Sequence, residues 1–188
     1  MRRARLLAPL LAALARAAAL PAAARAADPS LRWEGPGSGV TGWAILGYGD
    51  AVGAGVSYHT SLVPEGFIRD PGVRIHDNLD LEVGADFLNY YGYRVGPYDY
   101  GWNELLLRGG LLWDFWLTPR LAVYPKLDLG WGFGGYTGNY DPAYGPRQTF
   151  GGLFVEGAAG VIFKLQPRLA LRGEIGSAGL KLGIDFEF

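Results

Sequence analysis

From Thr41 onward, apolar side chains alternate with small or charged ones in eight segments separated by Gly, Pro, Asn and Asp: roughly 41–48, 51–63, 78–90, 102–116, 121–133, 149–165, 168–175 and 178–188. Alternation with a period of two predicts β-strands with one apolar and one polar face. The fourth and fifth segments put Leu105, Leu107, Leu111, Trp113 and Phe115, then Leu121, Val123, Leu127, Leu129 and Trp131, on one face. Glu104, Arg108, Asp114, Lys126 and Asp128 fall on the other. The last three segments continue the rule, with Glu156, Lys164, Arg172, Glu174, Lys181, Asp185 and Glu187 opposite Ile175, Leu180, Leu182, Ile184, Phe186 and Phe188. The pattern predicts an all-β protein, an antiparallel up-and-down sheet of eight strands. Alternation alone leaves open whether protein or lipid covers the apolar face.

Residues 1–26 read differently. A basic start, MRRAR, leads into an Ala- and Leu-rich stretch and then Ala24-Arg25-Ala26, the order of a secretory signal peptide. Arg16 and Pro21 break the apolar run below the roughly 20 residues of a spanning helix. Residues 27–40 read as a flexible leader and 41–188 as the barrel domain. No apolar run of spanning length follows, so the way to cross lipid that remains is a closed barrel.

Composition narrows the chemistry. The 188 residues suit one domain and contain no Cys, which removes disulfides, thiolate metal sites and cysteine nucleophiles. With two histidines, His59 and His76, neither a metal site nor another cofactor is expected. The first 26 residues hold five arginines and no acid, leaving 12 basic and 18 acidic residues, a net of −6, in the rest. An acidic body argues against nucleic acid as a partner.

Three features favour a membrane barrel over a soluble one. Trp102 and the Trp113–Trp116 stretch bracket the fourth segment. At roughly 3.4 Å per residue and a tilt of about 45°, their spacing covers about 26–34 Å, the height of a hydrocarbon slab between two aromatic girdles. Connections also differ between rims. Near-identical tight turns, FWLTPRLAV at 115–123 and FKLQPRLAL at 163–171, mark a periplasmic rim, which by parity also carries the long 64–77 stretch. Longer loops at 92–101 and 134–148 and short turns at Gly49-Asp50 and Gly176-Ser177 lie opposite. Finally, Lys181, Gly183, Phe186 and Phe188 occupy the spacing of a sorting strand.

That last strand resembles the C-terminal sorting strand of bacterial outer-membrane barrels. With eight strands, the chain resembles the small barrels of the OmpA transmembrane-domain and opacity-protein type. The resemblance implies a monomer in the cell envelope of a Gram-negative bacterium, surrounded by outer-membrane lipid and lipopolysaccharide and inserted by the barrel-assembly machinery through its last strand.

An eight-stranded barrel is just filled by side chains. Ten acids (Asp80, Glu82, Asp86, Glu104, Asp114, Asp128, Glu156, Glu174, Asp185, Glu187) face inward against five bases (Arg108, Lys126, Lys164, Arg172, Lys181). An ion-pair network centred on Glu104, Arg108, Lys126, Asp128, Glu156 and Arg172 is expected to plug the lumen, because unpaired buried charge is costly. The glycines make room for large inward neighbours, and Pro125 predicts a bulge in the fifth strand.

The primary functional expectation is a structural envelope barrel without catalysis. One alternative is surface binding or adhesion through the Tyr-rich outer loops, with Tyr98, Tyr100, Tyr136, Tyr140 and Tyr144 as contact residues. Another is a narrow transporter or a lipid-modifying enzyme. His59-Thr60-Ser61 resembles the His-x-Ser of the lipid A deacylases, but Leu62 stands where that family has Asn, and no acid orienter is evident at strand spacing. Asp99 and Asp141 are too isolated for a calcium loop.

Overall fold

The computed structural model describes residues 37–68, 75–96, 98–137 and 149–188. The expected signal segment, most of the leader and the tip of the longest loop lie outside them. Eight antiparallel strands form one closed barrel in sequential order: β1 (Gly39–Gly47), β2 (Ala51–Val63), β3 (His76–Val95), β4 (Tyr98–Thr118), β5 (Leu121–Thr137), β6 (Thr149–Gln166), β7 (Leu169–Gly176) and β8 (Gly179–Glu187). β1 pairs with β8 from Gly39↔Glu187 to Gly47↔Gly179, which closes the ring and leaves no free sheet edge along that seam. β1 starts at Gly39, inside the stretch expected to be leader.

Each strand keeps one parity inward. Thr41, Ser57, Glu82, Arg108, Lys126, Glu156, Arg172 and Lys181 are buried, while Val56, Leu107, Leu127, Leu129, Val155, Leu171 and Ile184 are exposed on the outside. A one-residue slip would turn a whole strand inside out, so the polar lumen and apolar exterior together fix the register. The start of β1, the end of β8, the tight turns after β4 and β6, and the end of β2 share one rim, here the terminal rim. At its edge Asp77 accepts the Phe67 and Ile68 amides, each at 2.9 Å, and Trp113 Nε1 at 2.8 Å.

Strand lengths are uneven at the distal rim: β4 has 21 residues and β7 has 8. The stretch expected as a 92–101 loop is instead a continuation of the β3–β4 ladder through Tyr93↔Tyr100, Arg94↔Asp99 and Val95↔Tyr98, with Gly96 at φ 61° in its turn.

Two further expectations are corrected. Pro125 makes no bulge. Pairing of β4 with β5 lapses between Leu112↔Lys126 and Phe115↔Val123 and resumes in the same register, while β6 pairs through Pro125↔Ala159. Proline removes a ladder donor, but inserting a residue would reverse both faces downstream, so the strand gives up hydrogen bonds instead of register. The girdle expected around β4 is also differently built. Trp102 and Trp116 have lumen parity. Trp102 stacks on Tyr90 at 4.4 Å, and Trp116 is buried with Nε1 donating to Asn78 Oδ1 at 2.7 Å. An indole N–H needs an acceptor, which Asn78 supplies inside the barrel. Trp113, Trp131, Phe133 and Phe163 are among the aromatics that do face out.

Candidate functional site

The lumen is layered. An apolar cluster of Leu112, Trp116, Ala122, Tyr124, Ile162 and Ala170 fills the half near the terminal rim. A second, of Trp43, Ile45, Leu88 and Leu106 with Tyr90 and Phe154 against it, fills the distal half. Between them lies an ionic cluster. Glu82 is its centre: Oε1 accepts from Arg108 Nη1 at 2.5 Å and Lys126 Nζ at 2.7 Å, and Oε2 accepts from Arg172 Nη1 at 2.9 Å. Asp86 Oδ2 takes Arg108 Nε at 2.9 Å and Lys181 Nζ at 3.1 Å. Asp128 Oδ2 lies 3.2 Å from Arg108 and 2.9 Å from Lys126. Glu174 Oε2 accepts Lys126 Nζ at 3.3 Å and Tyr124 Oη at 3.2 Å. Glu156 Oε2 accepts Lys181 Nζ at 3.3 Å.

Four cations thus meet five carboxylates, drawn from β3 to β8. Arg172 adds a bond to Thr41 Oγ1 at 2.9 Å, and its guanidinium lies 4.9 Å from the Trp43 ring centroid and 5.3 Å from that of Tyr124. The delocalised fork serves several acceptors and two aromatic faces at once. Removing a side chain from the facing residue makes room for large lumen groups: a Cβ at Gly160 would collide with the Tyr124 ring, and one at Gly183 with Trp43 and Thr41.

Of the residues expected in the network, the structure brings together Arg108, Lys126, Asp128, Glu156 and Arg172. Glu104 stands apart near the distal rim, where Oε2 accepts Tyr90 Oη at 3.2 Å. Glu82, Asp86, Glu174 and Lys181 belong to the cluster, and sequence reasoning places them inward without assigning them to it. Their depth depends on strand stagger, which parity does not reveal. Lys164 pairs with Glu187 at 2.7 Å toward the terminal rim.

His59 does have an acid partner, contrary to expectation. Its Nε2 lies 3.0 Å from Asp185 Oδ1, and Nδ1 lies 3.9 Å from Asp80 Oδ2. The partners come from β8 and β3, so local spacing could not show them. Both ring nitrogens face carboxylates, whereas the buried Ser61 Oγ has no hydrogen-bond partner. His59 is therefore engaged with two carboxylates.

Of the residues expected to form a sorting strand, Lys181 points inward, Gly183 lies against Trp43, and Phe186 and Phe188 are exposed on the outside. Among the loop candidates, Tyr98 opens β4 opposite Val95, Tyr100 pairs with Tyr93, and Tyr136 lies opposite Trp102 on β5. Tyr140 and Tyr144 lie outside the described residues.

The family described as the outer membrane protein beta-barrel domain matches residues 10–186. No curated protein matches the chain. Among solved structures, a major outer membrane protein from Thermus thermophilus is similar at 18% identity, over 81% of this chain and 99% of its own, with a TM-score of 0.53. Ail, the attachment invasion locus protein of Yersinia pestis, solved with the heparin analogue sucrose octasulfate, is similar at 13% identity over 82% and 99%, with a TM-score of 0.51. A de novo designed transmembrane β-barrel aligns at 18% identity over 81% and 95%, with a TM-score of 0.50. At these identities the likeness is one of fold.

Proposed function

Because this chain belongs to the outer membrane protein beta-barrel family and its place is the outer membrane, we propose that it is a structural element of the envelope, a barrel with a plugged lumen and no catalytic activity. The observation that carries this reading is Glu82, fully buried and shared by Arg108, Lys126 and Arg172 between two apolar layers. Hydrated ions would have to break these pairs to pass, and each broken pair leaves an uncompensated buried charge. The cavity beside His59, Asp80, Arg172 and Asp185 measures about 10 Å³, barely room for one water. The terminal rim, with its two tight turns, faces the periplasm in this reading. Single-channel recording of the purified barrel in planar bilayers tests it: no steady conductance is expected, and steady passage of hydrated ions overturns the plug.

A second reading, recognition at the cell surface, is favoured by one observation. β3, β4, β5 and β6 run beyond the distal ends of β7 and β8 and carry exposed Tyr91 and Tyr136. The similar barrel Ail is an attachment protein by its name. Deleting residues 138–148 and replacing Tyr91 with Ala is expected to abolish binding of barrel-displaying cells to glycan or protein arrays if this reading holds. Unchanged binding would remove it.

A further inference from the structure

Among the described residues, the distal half of β6 is paired on one side only. Its ladder with β5 runs from Gly135↔Thr149 to Leu121↔Phe163, but pairing with β7 begins at Ala158↔Gly176. The last bond across that seam joins Ser177 N–H to Gly157 O at 3.1 Å. Between the uncovered β6 edge and the β7–β8 turn, a cleft of about 430 Å³ reaches into the lumen. This volume falls in the range of small-molecule sites. Leu153 and Val155, beside the opening, point outward and are 66% and 63% exposed, so the mouth opens through the apolar outer band.

The cleft has apolar walls, including Leu106 and Phe154, and two carboxylates, Glu104 and Glu156, with no cation lining it among the described residues. Glu156 is 2% exposed. Lys181 holds its Oε2, but Oε1 has no hydrogen-bond partner. Among the described residues, Glu156 is the one carboxylate of the five in the ionic cluster with a single cation contact. Glu104 Oε1 leans over Gly132, where an added Cβ would meet it at 2.9 Å. A buried carboxylate oxygen without a donor is costly, and an incoming N–H cation relieves that cost with a charge-assisted hydrogen bond.

We propose that this cleft binds an organic cation: a primary ammonium or guanidinium carried on an apolar stem, its charge on Glu156 and Glu104 and the near part of its stem against Leu106 and Phe154. The glycines of the β5–β6 wall keep the space clear. A Cβ at Gly152, which shares lumen parity with Glu156, would meet nothing within 4 Å. A large side chain there occupies the cleft without straining the sheet. The ligand reaches the site from the aqueous side or through the lateral mouth from the outer leaflet.

The test is titration of the full barrel in phospholipid nanodiscs with n-hexylammonium, n-dodecylammonium and the uncharged n-hexanol, followed by tryptophan fluorescence. Saturable binding of the ammonium ions about tenfold or more tighter than hexanol is expected. Glu156→Gln should abolish that preference, and Gly152→Leu should abolish binding of either kind. Both variants are first checked for folding by heat-modifiable gel migration. Should Glu156→Gln not fold, Glu104→Gln together with Gly152→Leu decides the matter. Binding of both ammonium ions marks aqueous entry, and binding of the dodecyl compound alone marks entry from the leaflet. Equal affinity for hexylammonium, dodecylammonium and hexanol, or full binding by Gly152→Leu, overturns the proposal.

Discussion

Arg172 Nη1 lies 2.9 Å from Glu82 Oε2, a bond that joins β7 to β3, strands four apart in a ring of eight and therefore on opposite walls. The contact braces the barrel across its width. Glu82→Ala strips Arg108, Lys126 and Arg172 of a shared acceptor and is expected to cost about 3–5 kcal/mol, the range for breaking a buried ion pair. Denaturant unfolding in phospholipid vesicles measures it. Glu82→Met with Arg172→Met should cost less than the two single changes added together. Simple additivity would show that the two residues do not interact.

Leu127 is 61% exposed on the outer face, next in sequence to the buried Asp128. With hydrocarbon against that face, Leu127→Arg is expected to destabilise the barrel by about 2–4 kcal/mol in lipid. A variant as stable as the parent in the same vesicles would mean that something other than hydrocarbon covers this surface.

Two glycines of β6 separate lumen packing from strand propensity. Gly160→Ala drives a methyl into the Tyr124 ring, whose hydroxyl donates to Glu174, and should cost about 1–3 kcal/mol as overpacking. Gly157→Ala meets nothing within 4 Å and should be neutral or slightly stabilising. Equal effects at the two sites would remove the steric account of Gly160.

Pro125 interrupts the β4–β5 ladder without shifting it. Pro125→Val restores a donor and a β-favouring side chain, and a gain of about 1 kcal/mol is expected in the same unfolding assay. A loss of stability would show that the interruption is required by the strand's local geometry.

How much of this is legible in the sequence depends on the range of the interaction. Parity is local: Leu107 and Arg108 differ by one position and so face opposite solvents, which makes strand number, inward charge and outward apolar band readable. Stagger is not local. Glu82 meets Arg172 only through the offsets accumulated across the intervening strands, and neither residue's neighbours in the chain record them. Glu104 reads as part of the plug for the same reason, sharing its parity but not its depth. Trp116 misleads because an aromatic at a strand end suggests an interfacial belt, whereas parity turns its indole N–H toward Asn78. The acid beside His59 is hidden because Asp185 is reached across two seams of the closed ring, from β2 through β1 to β8.

The closing seam has a consequence for assembly. Glu82 arrives on the third strand but meets Arg172 only with the seventh, and Thr41 on the first waits for Asp185 on the eighth, which it donates to at 2.8 Å. An intermediate inserted strand by strand would hold stranded charge against lipid throughout its growth. Insertion and circularisation are therefore expected to be concerted, the final hairpin adding Arg172 and Lys181 to the Arg108 and Lys126 already set among the carboxylates, and no half-built ribbon should accumulate in the bilayer.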